Sequence, residues 1–425
     1  MTGRNRYTKA VISLLITAAM FLSGCGSKKI APLSESISAV SGAAGFLAAK
    51  VEESGGFIAS DAQREKASDY AYLYDNALAA VVLARAGAQE HAETIADAIV
   101  FAQTHDRTFS DGRLRNTYNS GDPESDSGRS IAAGKVTIRI PGFWQNGRWQ
   151  EDAYTVSTST GNMAWSILAL CAAAENASEE KRAEYLETAS RAADFVLTLK
   201  SENGGFTAGY EGWDDAQVKA TYQSTEHNID LYSAFSALSG ALSATDSVKA
   251  SEYKNAAEYA KEFVLSMYDS SLHCFYTGTE NNGKTVSDGV IPLNTNSLAV
   301  LALGAGLTDA DQVLSFVEER MAVGDGYDFS AGDLDGIWNE GTAQMALCYF
   351  LSGNTEKYDR IMAYLKTQTG KDGSIPAADR DGLSTGFVMS GSDVLWEYNN
   401  GQSIGATAWL AFAQLGVNPF VFSAA

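Results

Sequence analysis

The sequence predicts an all-α protein made of six helical hairpins arranged in two concentric rings. Along the 425 residues, helices that are apolar on every side alternate with amphipathic helices. A helix that is apolar all round belongs in a core, whereas an amphipathic helix packs by one face only. The alternation therefore predicts an inner, buried ring and an outer, solvated ring.

The stretch 224–243 shows the inner type of helix most clearly. Apolar residues such as Ile229, Phe235 and Leu242 recur at helical spacing, and alanines and leucines fill the other faces. Only the first turn is polar, and its residues lie at the positive end of the helix dipole. This first turn consists of Ser224, Thr225, Glu226, His227 and Asn228. A buried helix whose polar residues all lie at its start indicates a pocket there.

The same layout recurs, which is the signature of an internal repeat. Asparagines at 76, 162, 228 and 296 each open an apolar helical run. Two variants follow, one beginning Trp338-Asn-Glu-Gly and the other Gly401-Gln-Ser-Ile. Six such helices predict six hairpins.

Amphipathic helices are predicted between the inner ones, and glycine-rich turns lead from one type to the other. The predicted outer helices cover 37–51, 89–104, 179–200, 251–268, 310–323 and 355–367. Two connections are long, 104–157, with a predicted strand at 136–140, and 375–401. Long loops in a compact domain are usually functional or disordered. These two connections contain Trp144, Trp149 and Trp396, which favours a functional role.

The N-terminus predicts export. Basic residues precede an apolar run over 10–22 and then Leu-Ser-Gly-Cys25, the order of a secretory signal. This ending resembles the bacterial lipoprotein box, which implies lipidation of Cys25. We expect a signal peptide over 1–24, a lipidated cysteine and tether over 25–36, and one catalytic domain over 37–425. The protein would then be extracytoplasmic and would contact the membrane through its lipid alone.

Composition excludes some function classes. The formal net charge is −21, which repels phosphate backbones, so nucleic acid is not an expected partner. Cys171, Cys274 and Cys348 have no metal-ligand spacing and are odd in number, so we expect buried thiols.

Six hairpins with polar inner-helix starts resemble the six-hairpin glycosidases, whose fold is the (α/α)₆ toroid. The resemblance covers residues 40–420 and matches no specific hydrolase family. It implies a carbohydrate substrate in a funnel at the inner-helix N-termini. We expect a monomer with no cofactor and no metal.

Five acids are candidate catalytic residues, because glycosidic bond hydrolysis requires two carboxyl groups. They are Glu340, Glu226, Asp230, Asp75 and Asp152. Glu226 and Asp230 share one helix face at i and i+4. We assign the general acid to Glu340 and the base to Glu226. The alternative is that these acids only stabilise helix dipoles.

The candidate substrate-binding residues are polar or aromatic and lie at helix starts or on loops. They are His227, Asn228, Tyr74, Trp338, Trp144, Trp149, Trp396 and Arg113. His227 is also compatible with a capping role, because it is a single histidine at a helix start. Arg113 is also compatible with a role in fixing its own loop. The acidic loop 324–335 lacks the spacing of an EF-hand, so turn chemistry is favoured over calcium binding.

These features favour a lipid-anchored glycoside hydrolase, with inversion implied by the resemblance alone. Two rivals stay open: a sugar epimerase or polysaccharide lyase on the same fold, and a non-catalytic glycan-binding lipoprotein.

The lipid anchor is testable at one residue. Cys25→Ala should abolish incorporation of a fatty-acid probe, because the acylated thiol is gone, and should leave the domain folded. Metabolic labelling of the exported protein measures this, and label retained in the variant would rule the site out.

Overall fold

The computed structural model describes residues 42–60, 69–132, 134–388 and 393–422, which form two concentric rings of helices. Each inner helix packs on the next, and the sixth packs on the first, so the inner ring is closed. The inner helices are α2 (Leu73–Arg85), α5 (Thr160–Ala174), α7 (Thr225–Leu242), α9 (Leu293–Leu303), α11 (Asn339–Leu351) and α13 (Ile404–Leu415). The predicted (α/α)₆ architecture is confirmed.

The outer helices are close to the predicted ranges. They are α1 (Gly42–Ser54), α3 (Gln89–Thr104), α6 (Glu179–Leu197), α8 (Ser247–Ser266), α10 (Ala310–Met321) and α12 (Thr355–Gln368). Burial separates the two rings. Every residue of α5 is buried, whereas α12 buries only Ile361 and Leu365, as expected for a helix that packs by one stripe.

The connections carry a short helix α4 (Ala153–Val156), a 3₁₀ turn (Gly304–Gly306) and small antiparallel ribbons. The strands are β1 (Tyr70–Tyr72), β2 (Thr117–Asn119), β3 (Arg129–Ala132), β4 (Lys135–Ile138), β5 (Phe143–Gln145), β6 (Arg148–Gln150), β7 (Thr158–Ser159), β8 (Gly209–Glu211), β9 (Val218–Lys219), β10 (Tyr268–Asp269), β11 (Cys274–Phe275), β12 (Gly278–Thr279), β13 (Val286–Ser287), β14 (Ala322–Val323), β15 (Gly326–Tyr327), β16 (Ile375–Pro376), β17 (Leu383–Val388), β18 (Leu395–Tyr398) and β19 (Gln402–Ser403). The predicted strand at 136–140 corresponds to β4.

The core contains the thiols that were expected to be buried and two tryptophans of the inner helices. Trp165 and Trp409 are both 0% exposed, and the three thiols Cys171, Cys274 and Cys348 are buried and unpaired. Cys171 and Cys348 lie in the inner ring, where they fill space as small apolar residues.

A polar side chain in the first turn fixes most inner helices to the turn before them. The Asn228 amide accepts from Phe206 N at 2.8 Å and donates to Phe206 O at 3.1 Å and Ser224 O at 2.8 Å. Asn76 makes the same contacts with Ile58 and Tyr72. Asn296 makes them with Phe275 and Pro292. We call this arrangement the first-turn clamp.

Threonine replaces asparagine in the last two hairpins. Thr342 Oγ1 accepts from Tyr327 N at 3.0 Å, and Thr407 Oγ1 accepts from Ile375 N at 3.1 Å. In the second hairpin Asn162 instead binds the side chain of Asn116 at 2.9 Å. The two variant stretches of the repeat therefore carry the equivalent position at Thr342 and Thr407.

The clamp explains where the polar first turns lie. Each inner helix is followed by an outer helix that returns the chain, so all six inner helices begin at the same end of the ring. The clamp fixes each start against its own turn, and the residues just before the clamp face the centre of that end.

Other expectations concern residues that the structure does not describe. Cys25, the signal peptide over 1–24 and the tether over 25–36 lie outside the described ranges. Within those ranges, none of the helices has the length and hydropathy that crossing a bilayer requires.

Removing one clamp should measurably destabilise the ring. Asn228→Ala leaves the buried Phe206 N–H and C=O without their partner, so we expect a loss of about 1–3 kcal/mol in the free energy of unfolding. Asn281→Ala, at an exposed loop position, is the control and should change it by less than about 0.5 kcal/mol. Urea denaturation compares the two, and equal effects would contradict the clamp.

Candidate active site

Each inner helix carries one residue two positions before its clamp position, at the end of the ring where the inner helices begin. In chain order they are Tyr74, Thr160, Glu226, Asn294, Glu340 and Gly405. Three of them are neighbours: the Tyr74 hydroxyl donates to Glu340, and Glu340 Oε2 lies 2.9 Å from where a Cβ of Gly405 would be. Two of the six are the glutamates that the sequence singles out.

Glu340 is held by a short chain of hydrogen bonds. Trp409 Nε1 donates to the Tyr74 hydroxyl at 3.0 Å, and that hydroxyl donates to Glu340 Oε1 at 2.8 Å. A proton on this carboxyl is therefore carried by the other oxygen, Oε2. The Glu340 side chain is nearly enclosed, with the residue 8% exposed.

Gly405 makes room for a pair of carboxyl groups. A Cβ at this position would lie 2.9 Å from Glu340 Oε2 and 2.9 Å from Asp75 Oδ1. The absent side chain lets both oxygens approach the same space. Asp75, on α2, and Glu340, on α11, thus converge although they are far apart in the chain.

Burial raises the pKa of both carboxyls. For Glu340 burial is the main cause, the charges of Asp75 and Glu226 add to it, the Tyr74 hydrogen bond opposes it, and the pKa is about 8. For Asp75 burial raises the pKa to about 6, against a hydrogen bond with Ser60. Glu340 therefore keeps its proton at neutral pH, as a general acid requires.

Glu226 and Asp230 form a second carboxyl pair, one turn apart on α7. Burial raises the pKa of Glu226, and a hydrogen bond with the Asn294 side chain partly offsets the effect. Burial and the charge of Glu226 raise the pKa of Asp230 well above its usual range. Since Asp230 is 1% exposed, its carboxyl lies below the surface of the site.

His227 lies beside Glu226 and stays neutral. Burial lowers the pKa of its imidazole to about 4. Its Nε2 is 3.5 Å from Ser159 Oγ, while its Nδ1 is buried without a hydrogen-bond partner among the described residues. The ring packs close to Gly161, where a Cβ would lie 2.7 Å from His227 Cδ2.

Tyrosines from the long connections complete the wall around the acids. Burial, and then the charges of Glu340 and Glu226, raise the pKa of Tyr398 well above its usual range. Partial enclosure and the carboxylates Asp75 and Asp152 raise the pKa of Tyr154 to about 12. Both hydroxyls therefore remain protonated and can donate hydrogen bonds.

Asp152 does not join the other four acids. Its carboxylate caps α4 and accepts from Thr155 N at 2.8 Å and Thr155 Oγ1 at 2.5 Å. It lies near Tyr154 at the rim of the site. The capping alternative accounts for this residue, and we leave it out of the proposed catalytic set.

The structure gives a structural role to three residues that were expected to contact substrate. Trp338 is 1% exposed and its ring stacks on Tyr398 at 5.6 Å, so it supports the wall from behind. Asn228 uses its whole amide in the first-turn clamp. Arg113 binds Asp111 and Gln217 and lies over the Tyr210 ring, so it fixes its loop.

The other expected sugar contacts are available. Tyr74 faces the centre, and three tryptophans are well exposed: Trp144 at 71%, Trp149 at 44% and Trp396 at 44%.

The acidic loop 324–335 makes turns of the kind that its sequence favours. The two Asp328 oxygens accept from Phe329 N at 2.7 Å and Asp335 N at 2.9 Å. Carboxylate oxygens of Asp328, Asp333 and Asp335 come within 4.8 Å of one another.

Sequence reasoning missed Asn294, Gly405, Tyr154 and Tyr398. Asn294 and Gly405 could have been found by aligning the six inner helices on their clamp residues. That alignment places both residues at the same position as Glu226 and Glu340. Tyr154 and Tyr398 lie in irregular connections, where no periodicity places a side chain.

Known structures share this architecture over nearly the whole chain. A wild-type glycosidase covers 92% of this chain and 99% of its own, with a TM-score of 0.60 at 14% identity. A glutamate-to-alanine variant of a glycosidase in complex with glucose covers 88% and 96%, with a TM-score of 0.59 at 12% identity. This chain has the fold of the six-hairpin glycosidases.

The six-hairpin fold is also shared by proteins with different named activities. A novel alpha-amylase from Clostridium perfringens matches with a TM-score of 0.58 at 12% identity, covering 88% of this chain and 96% of its own. Cellobiose 2-epimerase from Bacillus thermoamylovorans B4167 matches at 0.57 and 9% identity, covering 87% and 95%. No protein-family model and no curated protein sequence matches the chain. The likeness establishes the fold and leaves the reaction to the site.

The buried acid should lower stability at alkaline pH. Glu340 titrates near 4.5 when unfolded and near 8 when folded, so the folded state binds more protons between these values and stability falls as pH rises. Glu340→Gln removes this titration. The variant should therefore have a free energy of unfolding that is higher by up to a few kcal/mol at pH 8.5, since each unit of pKa difference corresponds to about 1.4 kcal/mol. At pH 4 the substitution should change the free energy of unfolding little.

Denaturant unfolding at both pH values measures the difference. Glu90→Gln is the matched control, because Glu90 is also a first-turn acid but lies exposed on the outer helix α3. A gain that is equal at the two pH values would show that Glu340 is not held protonated.

Proposed function

We propose that this protein is a glycoside hydrolase in which Glu340 is the general acid and Glu226 the general base. The observation that carries the proposal is the pair of glutamates at equivalent positions of α7 and α11, where the charge of Glu226 acts on Glu340 and burial raises the pKa of each. Acids that only stabilise helix dipoles need no burial and no mutual approach.

The assignment of the acid follows from its hydrogen bonds. Tyr74 occupies Glu340 Oε1, so the proton lies on Oε2, which faces the space at Gly405. A glycosidic oxygen in that space would receive this proton as its bond to the anomeric carbon breaks. Asp75 shares the space, and its charge raises the pKa of Glu340.

The assignment of the base follows from the order of ionisation on α7. The charge of Glu226 keeps the proton on Asp230, and the Asn294 hydrogen bond favours the ionised form of Glu226. Ionised Glu226 would take a proton from the attacking water. In an inverting enzyme the two carboxyls are about 6.5–9.5 Å apart, which leaves room for that water.

Export to the outside of the cell belongs to the same proposal. It rests on Leu-Ser-Gly-Cys25 and on the signal-like segment before it. A lipid on Cys25 would hold the toroid at the membrane, where it would meet extracellular glycans.

A sugar epimerase is the second candidate, because the named epimerase has this fold and His227 lies beside Glu226. The other three histidines are engaged elsewhere: His91 contacts Glu52, His105 stacks on Phe101 and His273 contacts Tyr268. An epimerase would therefore have to work with His227 and the carboxyls alone. Product analysis separates the two, since hydrolysis creates a new reducing end and epimerisation does not.

The test combines a glycan panel with two matched substitutions. Glu340→Gln and Glu226→Gln should each lower kcat by at least about 10²-fold, because each removes a proton-transfer group, and should leave oligosaccharide binding intact. The kcat/KM of the wild-type protein should fall above pH 8, as Glu340 loses its proton, and should fall at acidic pH as Glu226 gains one.

Glu90→Gln should retain full turnover. Near-normal turnover in both site variants would overturn the assignment. Product anomer analysis by NMR would decide between inversion and retention.

A further inference from the structure

The segment 416–422 directly follows α13 and crosses the end of the ring where the inner helices end. The Asn418 side chain donates to Leu301 O, in the last turn of α9, at 2.8 Å. Three residues later, Val421 O accepts from the guanidinium of Arg85, at the end of α2, at 3.3 Å. We call this stretch the crossing segment.

The two attachment points lie on opposite sides of the ring. Neighbouring inner helices pack on each other in the order α2, α5, α7, α9, α11 and α13, and α13 packs on α2. In a closed ring of six with this order, α9 is the helix across from α2. A segment that binds both helices at their last turns therefore spans the opening of the ring at the end away from the acids.

Arg85 holds the crossing segment on the side of α2. Its guanidinium lies over the Phe422 ring at 4.5 Å and pairs with Glu175, directly after α5. A cation over an aromatic face and an ion pair both restrain position. Within the segment, Phe420 N donates to Asn418 Oδ1 at 3.0 Å, so the backbone between the two attachment points is held as well.

Phe420 is the residue of the crossing segment that points into the ring. It is 8% exposed, whereas its neighbour Val421 is 63% exposed. The Phe420 ring lies 5.4 Å from the ring of Trp165, a residue of α5 that is itself 0% exposed. Phe420 therefore closes the interior from the end opposite the acids, since packed side chains leave few voids that admit water.

Trp165 connects Phe420 to the residues that hold Glu340. The Trp165 ring meets the Tyr74 ring edge-on at 5.7 Å and the Trp409 ring edge-on at 6.0 Å, a favourable geometry for aromatic pairs. Tyr74 donates to Glu340 Oε1, and Trp409 donates to Tyr74. The contacts run without interruption from the crossing segment to the carboxyl of the proposed general acid.

We propose that Phe420 is a positioning residue for Glu340. Resting on the proposed function, the crossing segment supports Trp165 from behind, which fixes Tyr74 and keeps the general acid aligned with the bond that it protonates. The segment also keeps water away from the far side of the acid. Phe420 touches no reacting atom, so its effect on catalysis passes through Trp165 and Tyr74.

Enclosure is the property of Glu340 that the crossing segment preserves. Burial is the main cause of its raised pKa. Among the described residues, the titratable groups that interact electrostatically with it lie on α2, on α7 and directly before α13: they are Tyr74, Asp75, Glu226 and Tyr398. Phe420 carries no charge. Water admitted by removal of its ring would lower the pKa of Glu340, because it would solvate the ionised form.

The first test measures the protonation of Glu340 without turnover. Glu340→Gln should stabilise the otherwise wild-type protein at pH 8.5 and not at pH 4, and in the Phe420→Ala background this pH-dependent gain should shrink. We expect the pKa of Glu340 to fall by at least about one unit, which reduces the gain by about 1.4 kcal/mol. Urea denaturation of the four proteins at both pH values measures it.

The second test uses the pH profile of hydrolysis. In Phe420→Ala the fall in kcat/KM at alkaline pH should begin at least about one pH unit lower. The kcat should drop about 10- to 100-fold, the scale of a small misplacement of the acid. KM should change less than about twofold, because Phe420 makes no contact with substrate. Phe420→Leu keeps an apolar side chain in the space and should restore most of the profile.

Val421→Ala is the matched control, because Val421 lies on the same segment with an exposed side chain. Both readouts should stay as in the wild-type protein. If Phe420→Ala fails to fold, Asn418→Ala gives the same comparison, since it releases the segment from α9 and leaves every buried aromatic side chain in place.

The outcomes separate this proposal from the proposed hydrolysis. An unchanged pH-dependent gain and an unchanged pH profile would show that Phe420 only fills the core, and would overturn the positioning role while the hydrolase stands. A reduced gain in Phe420→Ala, together with full turnover in Glu340→Gln, would support the positioning of the Glu340 carboxyl and defeat its role as the general acid.

Discussion

The first-turn clamp is the interaction on which the rest of the structure depends. An amide or hydroxyl at one repeated position satisfies the backbone of the preceding turn, which would otherwise bury unpaired N–H and C=O groups. The bond recurs in five of the six hairpins, and each of these five helix starts is fixed against its own turn. Glu226 and Glu340 lie two positions before the clamp on α7 and α11, and the charge of Glu226 acts on Glu340 although the two residues are far apart in the chain.

The sequence was sufficient for the architecture, because architecture follows from periodicity. The all-round apolar inner helices and the striped outer ones are visible in the pattern of residues, and the repeated asparagines mark the hairpins. The structural role of these asparagines was not visible in the sequence. Asn228 reads equally well as a ligand for substrate or as a backbone clamp, and only the position of Phe206 decides. In two hairpins threonine takes the place of asparagine, so the repeated clamp position could not be recognised there by residue type.

The site was predictable only in part, for a related reason. Glu226, Glu340 and Asp75 lie in regular helices whose ends converge, so their meeting follows from the fold. Asp152, Arg113 and Trp338 were chosen by residue type within connections, and there local hydrogen bonding and stacking determine the outcome. Asp152 caps α4, Arg113 is held by Asp111, and Trp338 supports Tyr398. A residue type suited to chemistry is equally suited to holding a loop.

Gly405 has a consequence for the symmetry of the molecule. Six similar hairpins would by themselves give a centre with no preferred direction, because every sector would present an equivalent side chain. The one sector without a side chain breaks that equivalence, and Tyr74 reaches across to occupy the opposite oxygen of Glu340. The proton of this carboxyl can then leave toward one sector only. A pseudosymmetric scaffold thereby acquires a polarity at its centre, and the side chain that Gly405 lacks sets the direction of that polarity.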